Sequence, residues 1–231
     1  MLGTTVNFFA IIVGGFAGII FGKIFPEKLK ATLIQGLGLT VIAIGLQMAL
    51  KTGNILVVIA SLVLGGIIGE SIDIEARLNN FGQYLEKTFS RSGQGKFTKA
   101  FVTTSLIYCV GAMAIVGALE DGLKNNHSIL FAKSALDGIT AIIFSSSMGI
   151  GVLFAAIPVF LYQGCIALFA GLLQGVLSDP VVTEISAVGG LLILGIGINM
   201  LGIKEIKIGN LLPGIFIAIP LVIILQHFGM Y

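Results

Sequence analysis

Hydrophobic positions fall in long runs along this chain. Segments at 2–22, 32–50, 54–71, 99–119, 129–149, 152–176, 184–203 and 208–228 are apolar almost throughout, with polar residues, glycine or proline between them. Each run is close to the roughly 20 residues that an α-helix needs to cross about 30 Å of hydrocarbon. The pattern predicts an all-α polytopic membrane protein with about eight transmembrane helices. The first segment has no Lys or Arg ahead of it and no small-x-small cleavage pattern before Lys23, so it reads as a retained helix rather than a signal peptide. The fifth segment is the most irregular. Lys133 and Asp137 interrupt its start, and Ser145, Ser146, Ser147 and Gly149 break up its end, so a full crossing and a re-entrant pair of half-helices both fit.

Between Asp73 and Phe97 the pattern changes. Ile74, Leu78, Phe81, Leu85 and Phe89 recur every three or four residues and predict an amphipathic helix lying on the cytoplasmic surface, followed by a Ser-Gly-Gln-Gly linker before Lys96. A regulatory or partner-binding role for this helix is the alternative to simple surface attachment.

Composition narrows the class. The chain is 56% hydrophobic and 10% charged, where soluble domains average about 25% charged, so its 231 residues leave no room for a sizeable soluble domain. Thirteen basic and eleven acidic residues give a net charge of +2, with no basic stripe interleaved with aromatics, so no nucleic-acid partner is expected. The basic residues are unevenly placed. With eight crossings and an outside N-terminus, Lys23, Lys28, Lys30, Arg77, Lys87, Arg91, Lys96, Lys99, Lys204 and Lys207 share one side, and Lys51, Lys124 and Lys133 take the other. Removing the fifth crossing would move Lys204 and Lys207 outside. The positive-inside rule therefore favours eight crossings with both termini outside.

The chain also repeats itself. Gly18-x-x-x-Gly22, Pro26 and the run Ile42 to Met48 are echoed by Gly171-x-x-x-Gly175, Pro180 and the run Leu194 to Met200, and Asn54 is echoed by Asn210. The first three helices thus match the last three, and an odd number of crossings between equivalents puts the two units in opposite orientations. Loop charge reverses with them: 23–30 holds three basic residues and 178–183 none, while 51–53 holds one and 204–207 two. Inverted-topology repeats of this kind recur in secondary transporters. The expected organisation is a first three-helix unit at 1–72, the surface helix and linker at 73–97, a central helix pair at 98–151 whose second member is either a full crossing or a broken helix, and the inverted unit at 152–231.

Ionisable groups are costly at membrane depth, so those that remain mark candidate sites. Asp137 stands foremost, with Lys133 four residues earlier on the same helical face. The two read either as groups that bind or couple a charged species or as a structural ion pair. Ser145, Ser146 and Ser147 offer hydroxyls, with free carbonyls, to an ion or small solute where the helix ends, or else form a polar surface turn. Gln47 and Asn199, the polar members of the repeated motif, fit interhelical amide bonds or pseudo-symmetric ligand contacts. Gln163 follows Pro158 in the sixth segment, where a proline kink would free backbone carbonyls. Thr103, Thr104 and Ser105 lie inside the fourth. Glycine rows such as Gly14, Gly18 and Gly22, or Gly65 and Gly69, permit close helix approach.

Catalysis finds little support. His127 and His227 lie near predicted outer ends with no His-Glu-x-x-His motif, and the serines near Gly149 have no histidine in their span. Cys109 and Cys165 lack C-x-x-C spacing and read as buried, unreactive thiols, so neither a metal nor another cofactor is expected. ATP-driven transport is unsupported, because no Gly-x-x-x-x-Gly-Lys-Ser/Thr loop occurs.

The runs Cys109 to Leu119, Lys133 to Gly138 and Gly189 to Gly197 resemble the YqgA/YdfK-like family of bacterial membrane proteins, domain of unknown function 554, and the resemblance covers essentially the whole chain. It implies a polytopic inner-membrane protein, in places described as a transporter, with no established substrate. From the residues, the expected function is secondary transport or facilitated passage of a small solute or ion, by a membrane-lipid-embedded homo-oligomer, most simply a dimer. Asp137 and Lys133 would meet a charged species, with neutral contacts from Gln47, Asn199, Gln163 and Ser145 to Ser147. An ion channel using the same groups and a non-transporting scaffold or regulator acting through 73–97 are the alternatives.

Overall fold

The computed structural model describes residues 1–24, 26–89, 95–110 and 112–229. Every regular element among them is a helix: α1 (Leu2–Ile24), α2 (Glu27–Ala49), α3 (Ile55–Ile72), α4 (Ile74–Phe89), α5 (Lys96–Cys109), α6 (Ala112–Lys124), α7 (Ser128–Met148), α8 (Gly151–Phe154), α9 (Ala156–Leu168), α10 (Ala170–Leu173), α11 (Asp179–Met200), α12 (Ile208–Leu211) and α13 (Pro213–His227). Seven described helices or continuous runs are long and apolar enough to cross a membrane: α1, α2, α3, α7, α8–α9, α11 and α12–α13. The pair α5–α6, bent by 60°, meets the same test as a joint eighth. Outward faces carry large apolar stripes, Phe9, Val13, Phe16 and Ile20 on α1 and Ile59, Val63 and Ile67 on α3. Water would penalise such stripes and hydrocarbon does not.

By packing, the chain divides into two compact units: Met1–Leu37, Leu78–Cys109 and Met113–Gly171 form the first, and Gly38–Arg77, Val110–Ala112 and Leu172–Tyr231 the second. In the first unit α1 and α7 lie in glycine-tight contact. Gly14, Gly18 and Gly22 sit directly against the backbone oxygens of Gly138, Ile142 and Ser146. Both partners advance by four residues from one contact to the next, so the helices run parallel. α9 runs the other way, with Phe8 edge-on to Phe160 at 5.3 Å and Gly15 against Leu153. Along α5–α6, Gly151 rests on the Phe97 carbonyl at one end and Gly122 on the Ala167 carbonyl at the other. The bent pair therefore advances across the same thickness as α8–α9.

Of the two readings that fit the fifth segment the structure has the continuous one, and the break lies instead in the fourth, between Cys109 and Ala112. α7 is one continuous helix of 21 residues. Its serines do not unwind it: Ser146 Oγ donates back to the Ile143 carbonyl at 2.8 Å, a bond compatible with helix. The helix ends at Gly149, whose φ of 88° is readily adopted only without a side chain. Pro158 also acts differently from expectation. It is the third residue of α9, in the first turn, where the N–H it lacks has no intrahelical acceptor, so no carbonyl is freed near Gln163. Cys109 is half-buried and Cys165 faces outward, so only their apolar setting matches the expectation. A helix is present where the amphipathic one is expected, as α4, with Phe81 6.2 Å from Phe101 and Glu86 accepting from Thr98 Oγ1 at 2.9 Å. Linker residues 92–94 lie outside the described residues.

In the second unit α2 and α11 are antiparallel, Gly45 meeting Gly190 and Gly38 meeting Leu201 and Gly197. α3 and α13 are antiparallel too, Gly65 meeting Gly214 and Gly69 meeting Asn210. Carboxylates hold both connecting turns. Glu184, wholly buried, accepts from Thr52 Oγ1 and Gly53 N at 2.7 Å and from Asn54 N at 3.1 Å. Glu70 accepts from Lys207 Nζ at 2.7 Å and Asn210 Nδ2 at 2.6 Å, and Glu75 from Gly209 N at 2.6 Å. The bond to Glu70 holds the Lys207 ammonium above the usual lysine range.

Candidate functional site

The first unit gathers its buried polar groups where α1, α7 and α9 meet. Asn7 lies on the α1 face that carries Gly14 and Gly18, so the contact that draws α7 inward also brings Asn7 to the residue before Gly138. That residue is Asp137. Asn7 Nδ2 donates to Asp137 Oδ2 at 3.0 Å and to Gln163 Oε1 at 3.3 Å. Lys133 Nζ donates to both carboxylate oxygens, at 3.0 and 2.8 Å. All four side chains are buried, Asn7 and Gln163 completely. Counting 1.5 Å per residue, Asn7 and Lys133 lie about 8 Å from the starts of their helices and Asp137 about 14 Å.

The chemistry of this cluster is asymmetric. Lys133 and Asp137 neutralise one another, which offsets much of the cost of burying either. The carboxylate fixes the Asn7 amide with its nitrogen inward, because an oxygen there would be repelled. Asn7 Oδ1 and Gln163 Nε2 are then left buried with no partner. One acceptor and one donor without a protein partner stand beside a neutral ion pair.

The remaining expected residues divide. Ser145 and Ser147 are on the last turns of α7 with buried hydroxyls that have no partner, while Ser146 bonds its own helix. Gln47 faces outward from α2. Asn199 clamps the turn after α11, donating to the Ile206 carbonyl and accepting from its N–H, both at 2.8 Å. Gln47 lies two residues from the Gly45–Gly190 contact and Asn199 two residues from the separate Gly38–Gly197 contact, so the repeated motif does not converge on one site. Sequence reasoning passed over Asn7 and Glu184. Asn7 is the sole Asn or Gln of the first segment, a visible signal. Glu184 fell at an expected segment edge, whereas α11 begins at Asp179 and takes it inside.

No solved structure matches this chain. It is similar to the uncharacterized membrane protein YdfK of Bacillus subtilis (strain 168), 33% identical over 234 residues that cover 100% of this chain and 99% of the relative. It is also similar to the uncharacterized protein YqgA of Escherichia coli (strain K12), 31% identical over 225 residues covering 96% of each. A family model described as a protein of unknown function matches residues 2–223. With that match over nearly its whole length, and two full-length relatives of the same kind, the chain belongs to the DUF554 family of membrane proteins.

Proposed function

We propose that this protein is a secondary transporter or facilitator that carries a small solute or ion across the bacterial cytoplasmic membrane, with both termini outside. The observation that carries the reading is the cluster of Lys133, Asp137, Asn7 and Gln163, buried at membrane depth with one amide donor and one acceptor unpartnered. Groups of this kind are retained inside a bilayer where they meet a ligand or a proton. An inverted repeat of the first and last three spans supports the same class. In its favour, each pair of equivalent helices packs antiparallel within its own unit: α1 with α9, α2 with α11 and α3 with α13. Phe8 lies against Phe160, separated by the offset that also relates Met48 to Met200.

Thermal melting of the detergent-purified protein against inorganic ions, amino acids and small carboxylates tests the site. A ligand is expected to raise the melting temperature of the wild type by mass action and to lose that effect in Asp137→Asn and Gln163→Leu. Equal stabilisation of all three proteins would place binding elsewhere and overturn the assignment. Flux that saturates with concentration then identifies a carrier rather than a channel. The repeat has its own check. After replacement of Cys109 and Cys165, cysteines introduced at 23–30 and at 178–183 are expected to react with an impermeant maleimide from opposite sides of the membrane, and labelling from the same side removes the inverted arrangement.

A further inference from the structure

α7 carries polar groups far beyond its ion pair. Lys133, Asp137, Thr140, Phe144 and Ser147 follow one another at intervals of three or four residues and so share one helical face. Lys133, Asp137 and Phe144 are buried, and Thr140 and Ser147 half-buried. A polar stripe of this length is not a lipid-facing surface. α5 covers its middle. Tyr108, 1% exposed, sets its ring edge-on to Phe144 at 6.4 Å, with its hydroxyl 3.5 Å from Thr140 Oγ1.

Register extends the contact. α5 follows the direction of α8–α9, opposite to α1 and hence to α7. One turn back along α5 from Tyr108 and one turn on along α7 from Phe144 bring Ser105 level with Ser147. The hydroxyls of Ser105 and Ser147 are both buried without a partner. Unpartnered polar atoms therefore stand on both sides of one aromatic pair, the Asn7 and Gln163 amide atoms on one and these hydroxyls on the other. Buried polar groups left open in this way are satisfied by a water, ion or solute that reaches them.

Building on the transport reading above, we propose that the solute path of the first unit follows this face of α7, between an outer station at Asn7, Gln163, Lys133 and Asp137 and an inner station at Ser105 and Ser147, with Tyr108 and Phe144 as the barrier between them. The charges of the outer station cancel and the inner station has none. The path therefore suits a small uncharged solute that both donates and accepts hydrogen bonds. A net charge would face the barrier with no counter-ion.

Urea is the probe, and light scattering from proteoliposomes of the full chain is the readout. Tyr108→Ala is expected to raise urea permeability about tenfold over the wild type, the change that follows from a modestly lower barrier. Adding Ser147→Trp should return it to the wild-type value. Phe144→Ala removes the other half of the barrier and serves where Tyr108→Ala does not fold. Unchanged permeability in a folded barrier variant overturns the path, as does an increase that Ser147→Trp leaves untouched. Potassium passing Tyr108→Ala as readily as urea overturns the uncharged-solute assignment. Loss of ligand stabilisation at Asp137 is read separately by melting, so the binding site and the path can fail independently.

Discussion

Gly18→Ala is expected to remove much of the protein's thermal stability, while Gly171→Ala leaves it near the wild type. A β-carbon at position 18 would press on the Ile142 carbonyl and come within 2.8 Å of Ser145 Cβ. The first is backbone and the second the root of a side chain, so neither can turn aside and α1 must move away from α7. Overpacking of this kind costs about 1–3 kcal/mol, large against a total stability of about 5–15 kcal/mol. Gly14 and Gly22 sit in the same row against α7, so Gly18→Leu is expected to leave no folded protein. Gly171 has nothing within 4 Å of the added carbon. Heating detergent-purified samples and measuring the monodisperse fraction by gel filtration compares the two, and equal melting would refute the glycine seam. The seam also has a functional consequence. Asn7 is on its face, so spreading the helices lengthens the 3.0 Å bond to Asp137 and should weaken ligand stabilisation more than melting alone explains.

That seam marks what the sequence makes legible and what it does not. The apolar segments are readable because hydrocarbon thickness imposes both length and composition, and each corresponds to a helix or a closely spaced run of helices. Lys133 and Asp137 stand out because two opposite charges four apart are conspicuous in an apolar run. Asn7 does not, since a lone amide in the first segment gains its role only from the glycine contact that carries α7 to it. Gln47 and Asn199 show a different limit. They occupy equivalent places in a repeated motif, yet one faces outward and the other closes a turn. Helices that are apolar on every side have no polar face by which sequence can orient them. The break between Cys109 and Ala112 is silent for a related reason, as Val110, Gly111 and Ala112 continue the apolar run unchanged. Pro180 was visible, but it lies in the first turn of α11, where proline starts a helix rather than ending one, and that shift brought Glu184 inside.

Asp137→Leu and Lys133→Met are each expected to lower stability by about 3–5 kcal/mol, and the two together by much less. Either single change leaves one charge buried without its counter-ion, and Asp137→Leu also strips Asn7 Nδ2 of its carboxylate acceptor. The pair of changes replaces two charges that are 2.8 Å apart by apolar groups of similar volume. Well-packed replacements of this sort are often neutral or stabilising elsewhere; here the Asn7 and Gln163 amides remain and hold back full recovery. A double-mutant cycle of melting temperatures gives the coupling directly. If the losses add, with the double variant as unstable as the sum of the singles, the ion pair is not the source of the penalty. The same double variant separates packing from function. A purely structural pair predicts that restoring stability restores ligand stabilisation and flux with it. A binding pair predicts a folded protein in which both remain absent, because the carboxylate and ammonium that would exchange partners with the solute are gone. Since the double variant is expected to fold, its silence toward a ligand that stabilises the wild type would be a statement about the site rather than about the fold.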